Sequence, residues 1–369
     1  MVTDKEFIEQ ATARIHAAAA SGSRLRLRGG GSKDFYGAAL EGEILDTTPL
    51  SGVISYEPSE LVVTALAGTP LAELEALLLA QGQCLPFEPP HFNPDATVGG
   101  MVAAGLSGPA RASAGAVRDY VLGIKLINGK GEHLTFGGQV MKNVAGYDVS
   151  RLMVGAMGTL GLLTEVSLKV LPIAPLEATL KFGMTQAEAL TQLNTWGGQP
   201  LPLNASCWLE DGGTGTLYLR LRGAVAAVEA ACAKLGGERR SNTQSAADWQ
   251  LCRDQRLPWF TERTDTQDLW RLSVPQTTPP LDLPDSPLIE WHGGQRWVRA
   301  DADQGQRLRE LAVAVDGYAT IFIAARARKQ ATAGRFDTLK PPLDSIHREL
   351  KREFDPSGIF NPHRMHADW

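Results

Sequence analysis

Three glycine-rich stretches carry the residue types that could hold a charged cofactor. The first is Arg28-Gly29-Gly30-Gly31-Ser32-Lys33, directly after the alternating run Arg24-Leu25-Arg26-Leu27-Arg28. Glycines after a strand let consecutive backbone N–H groups converge on an anion. Arg28 and Lys33 flank them with positive charge, and a pyrophosphate suits such a nest. The plainer alternative is a flexible turn. The stretch is not a P-loop, because no Gly-Lys-Ser/Thr follows at the required spacing. Nor is it a Rossmann fingerprint, because its glycine spacing is wrong.

The second stretch runs from Thr97-Val98-Gly99-Gly100 through Ala104-Gly105 to Gly108. Small residues at nearly every position let the chain lie against a flat aromatic system or a diphosphate; the alternative is a tightly packed Gly/Ala helix. In the third, Gly155-Ala156-Met157-Gly158-Thr159-Leu160-Gly161, a turn feeds a strand through Val166, and its backbone could meet an adenine. One such segment says little, whereas three in order point to a bound dinucleotide. Glycine density agrees: 14 of the 63 residues from 99 to 161 are glycine, against 38 in all 369.

Other chemistry-bearing residues fit poorly with a metal or cluster. Cys84, Cys207, Cys232 and Cys252 form no C-x-x-C, so an iron–sulfur or structural zinc site held by this chain alone is not expected. They read as four separate thiols. His292-Gly293-Gly294 has no following histidine until His347, and His363-x-x-His366 lies beside a proline near the end. Both read as packing or surface histidines, so no metal is assigned. Lys142 and Tyr147 are further polar candidates, but no catalytic base is assigned. Trp249, Trp259, Trp270, Trp291 and Trp297 suggest core packing or a partner surface.

The elements that must position these residues are legible in part. Residues 3–20 read as a helix with Phe7, Ile8, Ala11 and Ile15 on one face. Short strands follow near Ile44, Val53 and Val62. Thr69 reads as the cap and Pro70 as the first residue of a helix striped by Leu71, Leu74, Leu77 and Leu78 and closed by Gly82. Beyond Pro172, strand-like stretches at 178–182, 205–209 and 216–221 alternate with helical ones at 186–194 and 224–235, which predicts an α+β unit with an antiparallel sheet. Proline-rich 274–287 reads as loop, and 341–354 as a last helix before the tail Asn361-Pro362-His363-Arg364. The expected division is 1–173, 174–330 and 331–369, the last returning to the first.

Composition is ordinary globular: 43% hydrophobic and 21% charged, with net charge −5. That acidity removes the usual electrostatic warrant for nucleic acid or anionic lipid. No run of about 18 apolar residues exists, so no membrane span is expected. The opening residues lack a basic segment followed by an apolar one, so no secretory signal is expected and the cytoplasm is the expected address.

At Thr97-Val98-Gly99-Gly100, Ser107-Gly108-Pro109, 118–123, 137–148, 155–172 and 354–364 the chain resembles flavoproteins of the vanillyl-alcohol-oxidase/p-cresol-methylhydroxylase fold. More closely, it is similar to the FAD-binding subunits of bacterial glycolate oxidases. The resemblance is close over 25–172 and loose over the middle segment. It implies a two-subdomain FAD-binding domain with an α+β cap, and noncovalent FAD, since the phosphate loop offers Ser32 and Lys33 but no His or Cys. Arg28 to Lys33 would wrap the pyrophosphate, and 97–105 would run along the diphosphate toward the ring. Gly158, Thr159, Gly161 and Val166 would contact flavin and adenine, and Asn361 would return to the flavin domain. It implies a homologous catalytic FAD subunit and an iron–sulfur subunit as partners and a small 2-hydroxy acid as the complex's substrate. A base would take the hydroxyl proton while hydride passes to the flavin, which sends electrons on to iron–sulfur clusters. The complex could be peripheral to the inner membrane. Alternatives are a self-sufficient 2-hydroxy-acid dehydrogenase or oxidase, and a structural subunit with a vestigial flavin fold. Two departures stand out. Ala110-Arg111-Ala112 has one arginine where the family carries two, and His363 stands where the family has glycine.

Overall fold

The computed structural model describes residues 3–138, 148–327 and 334–366. Lys142 and Tyr147, and most of the 137–148 motif, lie outside the described residues. Two antiparallel sheets organise the chain. The first has five strands in the order Val53–Glu57, Val62–Leu66, Leu162–Lys169, Val121–Ile127 and His133–Gly137. Its central strand, Leu162–Lys169, is buried along almost its whole length. That explains its apolar sequence, since a strand covered on both faces shows no alternation.

The second sheet has eight strands, all paired antiparallel, drawn from 176–323. The sequence reading named three of them. It did not name Glu238–Arg239, Gln267–Ser273, Leu288–Glu290, Gln295–Asp301 or Tyr318–Ile323, which complete it. A separate parallel pair joins Leu25–Arg28 to Glu43–Asp46, and it carries the first glycine loop.

The opening helix, Asp4–Ser21, is capped by Thr3 and buries Phe7, Ala11, Ile15 and Ala18. The helix Leu71–Ala80 corrects the expected cap. It begins one residue later than read, with no side-chain cap. The Thr69 hydroxyl is turned away, accepting from Gly52 N at 3.0 Å and lying 3.0 Å from Gly52 O. Trp249, Trp259, Trp270, Trp291 and Trp297 are all buried, at 2–9% exposure, so they pack the core and form no exposed partner surface. All four cysteines are free thiols, as read, with Cys207 and Cys252 buried and Cys84 and Cys232 half-buried; the neighbouring Cys207 together with burial pushes the Cys252 thiol well up.

Candidate functional site

The three glycine stretches converge on one groove. One wall is the loop after Leu25–Arg28, and the opposite wall is the seven-residue helix Val98–Ala104. The turn around Met157 and Gly158 extends the helical wall, Met157 N donating to Ala103 O at 2.8 Å, and the tail residues Asn361 and Arg364 complete the lining, with Asn361 against Met157.

In the loop, glycine is required by close approach. A Cβ on Gly29 would lie 2.3 Å from Thr97 Oγ1, and one on Gly30 only 1.5 Å from Asp95 O. Gly31 has φ +70°, a conformation that favours glycine. Within this packing the N–H groups of Gly29 to Lys33 find no acceptor among the described residues. Buried or half-buried amides are rarely left unpaired, so this row of donors calls for an anion or water. Arg28 lines the groove and donates from Nε to Asp34 at 2.9 Å. Lys33 donates to Ser32 Oγ at 3.0 Å and faces the Phe92 ring. Burial pushes its ammonium down to about 8, with Asp254 opposing.

The second stretch resolves as the packed Gly/Ala helix. Thr97 caps it by accepting from Gly100 N at 3.2 Å, and Gly105, at φ +63°, ends it. Gly99 donates to Ala67 O at 2.7 Å, an approach that a side chain would block. Gly99, Gly100, Ala103 and Ala104 line the groove. Val98 does not: its side chain is fully buried in the core beneath. Gly105 also stays off the groove lining.

The third stretch divides in the same way. Gly158 and Gly161 line the groove. Thr159 is buried, its hydroxyl donating to Ala156 O at 2.7 Å and its carbonyl accepting from Lys351 Nζ at 2.7 Å. Val166 sits in the central strand with no exposure, so it positions the turn from below and touches no ligand space.

The tail fixes the two walls together. Asn361 Oδ1 accepts from Leu27 N at 2.9 Å, and its Nδ2 donates to Met157 O at 2.7 Å. Arg364 donates to the carbonyls of Lys33 and Asp34 at 3.2 and 3.1 Å. Burial pushes its guanidinium down to about 10. A buried Lys351–Asp355 pair at 2.7 Å holds the turn that launches the tail, with Asp355 accepting from Ile359 N and Phe360 N. His363 adopts φ +61°, so the turn expected to need glycine is kept with a histidine in it. Sequence reading missed Arg364 as a groove residue, because nothing in its spacing announces a groove that forms only across the chain.

A second cluster lies between the two sheets. Arg271 donates from Nη2 to Tyr36 Oη at 3.2 Å, and its Nε is buried without a partner. Arg111 stacks 4.5 Å from the Trp291 ring. Burial and then the nearby Arg271 charge lower its pKa. His292 lies 3.0 Å from Ser113 Oγ, and burial pushes its imidazole down to about 4, so it is neutral. No three His, Cys, Asp or Glu side chains gather as a metal site among the described residues. His91 pairs with Glu75 at 2.9 Å and His133 contacts Thr164 at 3.0 Å, both away from the groove.

Comparison with known proteins agrees with this geometry. A family model described as an FAD binding domain matches residues 6–137. The glycolate oxidase subunit GlcE of Escherichia coli (strain K12) is 42% identical over 368 residues, covering 100% of both chains. A D-lactate dehydrogenase of Anaerostipes hadrus is 34% identical over 131 residues, which are 36% of this chain and 27% of that protein. Among solved structures, alkyldihydroxyacetonephosphate synthase superposes with a TM-score of 0.66 at 16% identity, covering 96% of this chain and 75% of that one. The last likeness shows the fold alone. The architecture is that of the vanillyl-alcohol-oxidase/p-cresol-methylhydroxylase type.

Proposed function

The chain belongs to the family of the glycolate oxidase subunit GlcE, and from that premise we propose that it is the FAD-binding subunit of a glycolate, or 2-hydroxy-acid, oxidising complex. The observation that carries this reading is the row of unpaired N–H groups from Gly29 to Lys33, which faces a groove walled by small residues. Those donors suit a diphosphate, with Arg28 and Lys33 supplying charge. Gly100, Ala103 and Ala104 leave the opposite wall low enough for the cofactor to lie along it. Asn361 ties the loop strand to the Met157 turn, and Arg364 braces the loop itself. When bound, FAD supplies a two-electron acceptor that can pass electrons on singly, and the protein's part is to place it. Binding is noncovalent, since the groove offers no His or Cys among the described residues. The flavin-binding part is 1–173 with 331–369, and the cap is 174–330.

The partners proposed are a homologous catalytic FAD subunit and an iron–sulfur subunit. The four cysteines are too scattered to hold an onward iron–sulfur relay. No described helix is long and apolar enough to cross a membrane. A cytoplasmic complex, peripheral to the inner membrane through its partners, fits this reading.

One observation favours the self-sufficient alternative. Arg111 and Arg271 are near neighbours of like charge, and Arg271 Nε lacks a partner, an arrangement a carboxylate would relieve. The deciding experiment purifies the native complex, identifies its subunits, and assays the isolated chain with glycolate and D-lactate and an artificial acceptor. Activity that appears only on reconstitution supports the division of labour. Turnover by the isolated chain matching the complex, lost in Arg271→Leu, overturns it in favour of the alternative.

A further inference from the structure

Two of the free thiols meet inside the eight-stranded half, around one carboxylate. Cys207 lies on the strand Leu203–Asp211, and Cys252 on the helix Asn242–Arg253, which packs over the same sheet. Both are buried, at 3% and 2% exposure, and both line one cavity of about 360 Å³.

Glu290 fixes their relation from two sides. It is the direct cross-strand partner of Cys207, which puts the two side chains on one face of the sheet. Its Oε1 accepts from Cys252 Sγ at 3.3 Å. Trp297 Nε1 and Gln295 Nε2 donate to Oε2 at 2.5 and 3.0 Å, so the carboxylate is held rigid with one oxygen turned to the thiol. Glu290 is 2% exposed and pairs with no cation among the described residues. A buried carboxylate without a cation is costly to keep, and its place beside two thiols asks for a use. Burial pushes its carboxyl up, so it takes a proton readily.

We propose that Cys207, Cys252 and Glu290 form a peroxide-reactive dithiol, in which a small uncharged hydroperoxide enters the cavity and converts the two thiols to a disulfide. The Cys252 proton passes to Glu290 Oε1, and the sulfur attacks one peroxide oxygen. The O–O bond breaks, an S–O bond forms, and the leaving hydroxide takes the proton from Glu290 as water. Cys207 Sγ then attacks the Cys252 sulfur. The S–S bond forms, the S–O bond breaks, and the departing hydroxyl leaves with the Cys207 proton as a second water. The two thiols lose two electrons and two protons, and hydrogen peroxide becomes two waters. The new bond fastens the covering helix to the sheet. The same helix end meets the flavin-binding half, where Asp254 accepts from His91 N at 2.8 Å.

The test uses the purified full-length chain, reduced, freed of reductant and then exposed to hydrogen peroxide. Free thiols are blocked with iodoacetamide, and non-reducing peptide mass spectrometry reads the links. A linked Cys207–Cys252 peptide is expected, two hydrogens lighter than its parts, and dithiothreitol should reverse it. Cys207→Ser should stop the reaction after its first step and leave a Cys252 sulfenic acid that dimedone traps. Glu290→Gln should slow linking at least about tenfold by removing the proton acceptor. The unfolding transition reports that each variant is folded; if Glu290→Gln does not fold, Cys207→Ser carries the test. The proposal falls if peroxide forms no Cys207–Cys252 link, if Cys252 stays unmodified in Cys207→Ser, or if folded Glu290→Gln links at the parent rate.

Discussion

Glu88 receives both of its strongest hydrogen bonds from one nitrogen of Arg220, at 2.6 and 2.7 Å. Glu88 belongs to the segment leading into the Val98–Ala104 helix, and Arg220 to the eight-stranded sheet. Arg220 is nearly buried, with its side chain 4% exposed. Arg222 approaches the same carboxylate at 3.4 Å, and Ala110 N donates to it at 3.1 Å. The pair therefore joins the groove-bearing half to the other sheet.

Glu88→Gln should destabilise the chain by about 3 kcal/mol, because it leaves the buried Arg220 guanidinium without an anion. Burial alone would raise the Glu88 carboxyl, but Arg220 and Arg222 outweigh it and hold it below 4.5. The stabilisation is thus present above pH 4.5 and is lost as pH falls through the lower folded value. Denaturant unfolding from pH 3 to 7 should show a shallower acid limb in Glu88→Gln; identical limbs would refute the assignment.

Asn361→Ala should cost about 3 kcal/mol, since it strands the buried Leu27 N–H and Met157 carbonyl at once. The φ of +39° adds strain that asparagine tolerates better than alanine. Flavin retention should fall with stability, because both walls of the groove lose their tie. A variant with unchanged unfolding and full flavin would show that the tail is dispensable.

Two substitutions separate groove chemistry from loop packing. Gly30→Glu should lose both flavin and stability, as its Cβ would collide with Asp95 O. Ala103→Glu places a carboxylate on the groove from a helical, half-buried position, and helices accept Glu readily. Flavin content in Ala103→Glu should fall at least about tenfold by like-charge repulsion, with the unfolding temperature little changed. Full flavin in that variant would mean the groove is not the diphosphate site.

The pH dependence of flavin affinity should report Lys33. Its ammonium, pushed down to about 8 by burial, is mostly charged at pH 7 and neutral at pH 9. Affinity for an anionic diphosphate should hold from pH 6 to 7.5 and then fall, by at most about tenfold per pH unit. Lys33→Met should bind more weakly at pH 7 and lose the alkaline limb. Affinity flat through pH 9 in the parent chain would sink the role of this lysine.

Acid precipitation should release nearly all the flavin into the supernatant. Two histidines of the flavin-binding part, His91 and His133, are engaged with Glu75 and Thr164 and do not line the groove. Colour retained by the precipitated polypeptide would contradict a noncovalent site.

The sequence by itself determined what local chemistry decides. The alternation at 24–28, the three glycines after it and the cap at Thr97 are short-range signals, and each became the element its residues favour. Their shared purpose was legible only as three glycine stretches in order. Tertiary structure decided which of those residues face the groove. Val98 and Val166 share the stretches but turn into the core, because neighbouring residues in a helix or strand point to different faces. It also decided that Gly30 is required by a carbonyl 65 residues away and that Arg364 braces a loop some 330 residues earlier. The Arg111–Arg271 neighbourhood and the Glu88–Arg220 pair exist only where distant segments meet, and no periodicity in the chain encodes such a meeting.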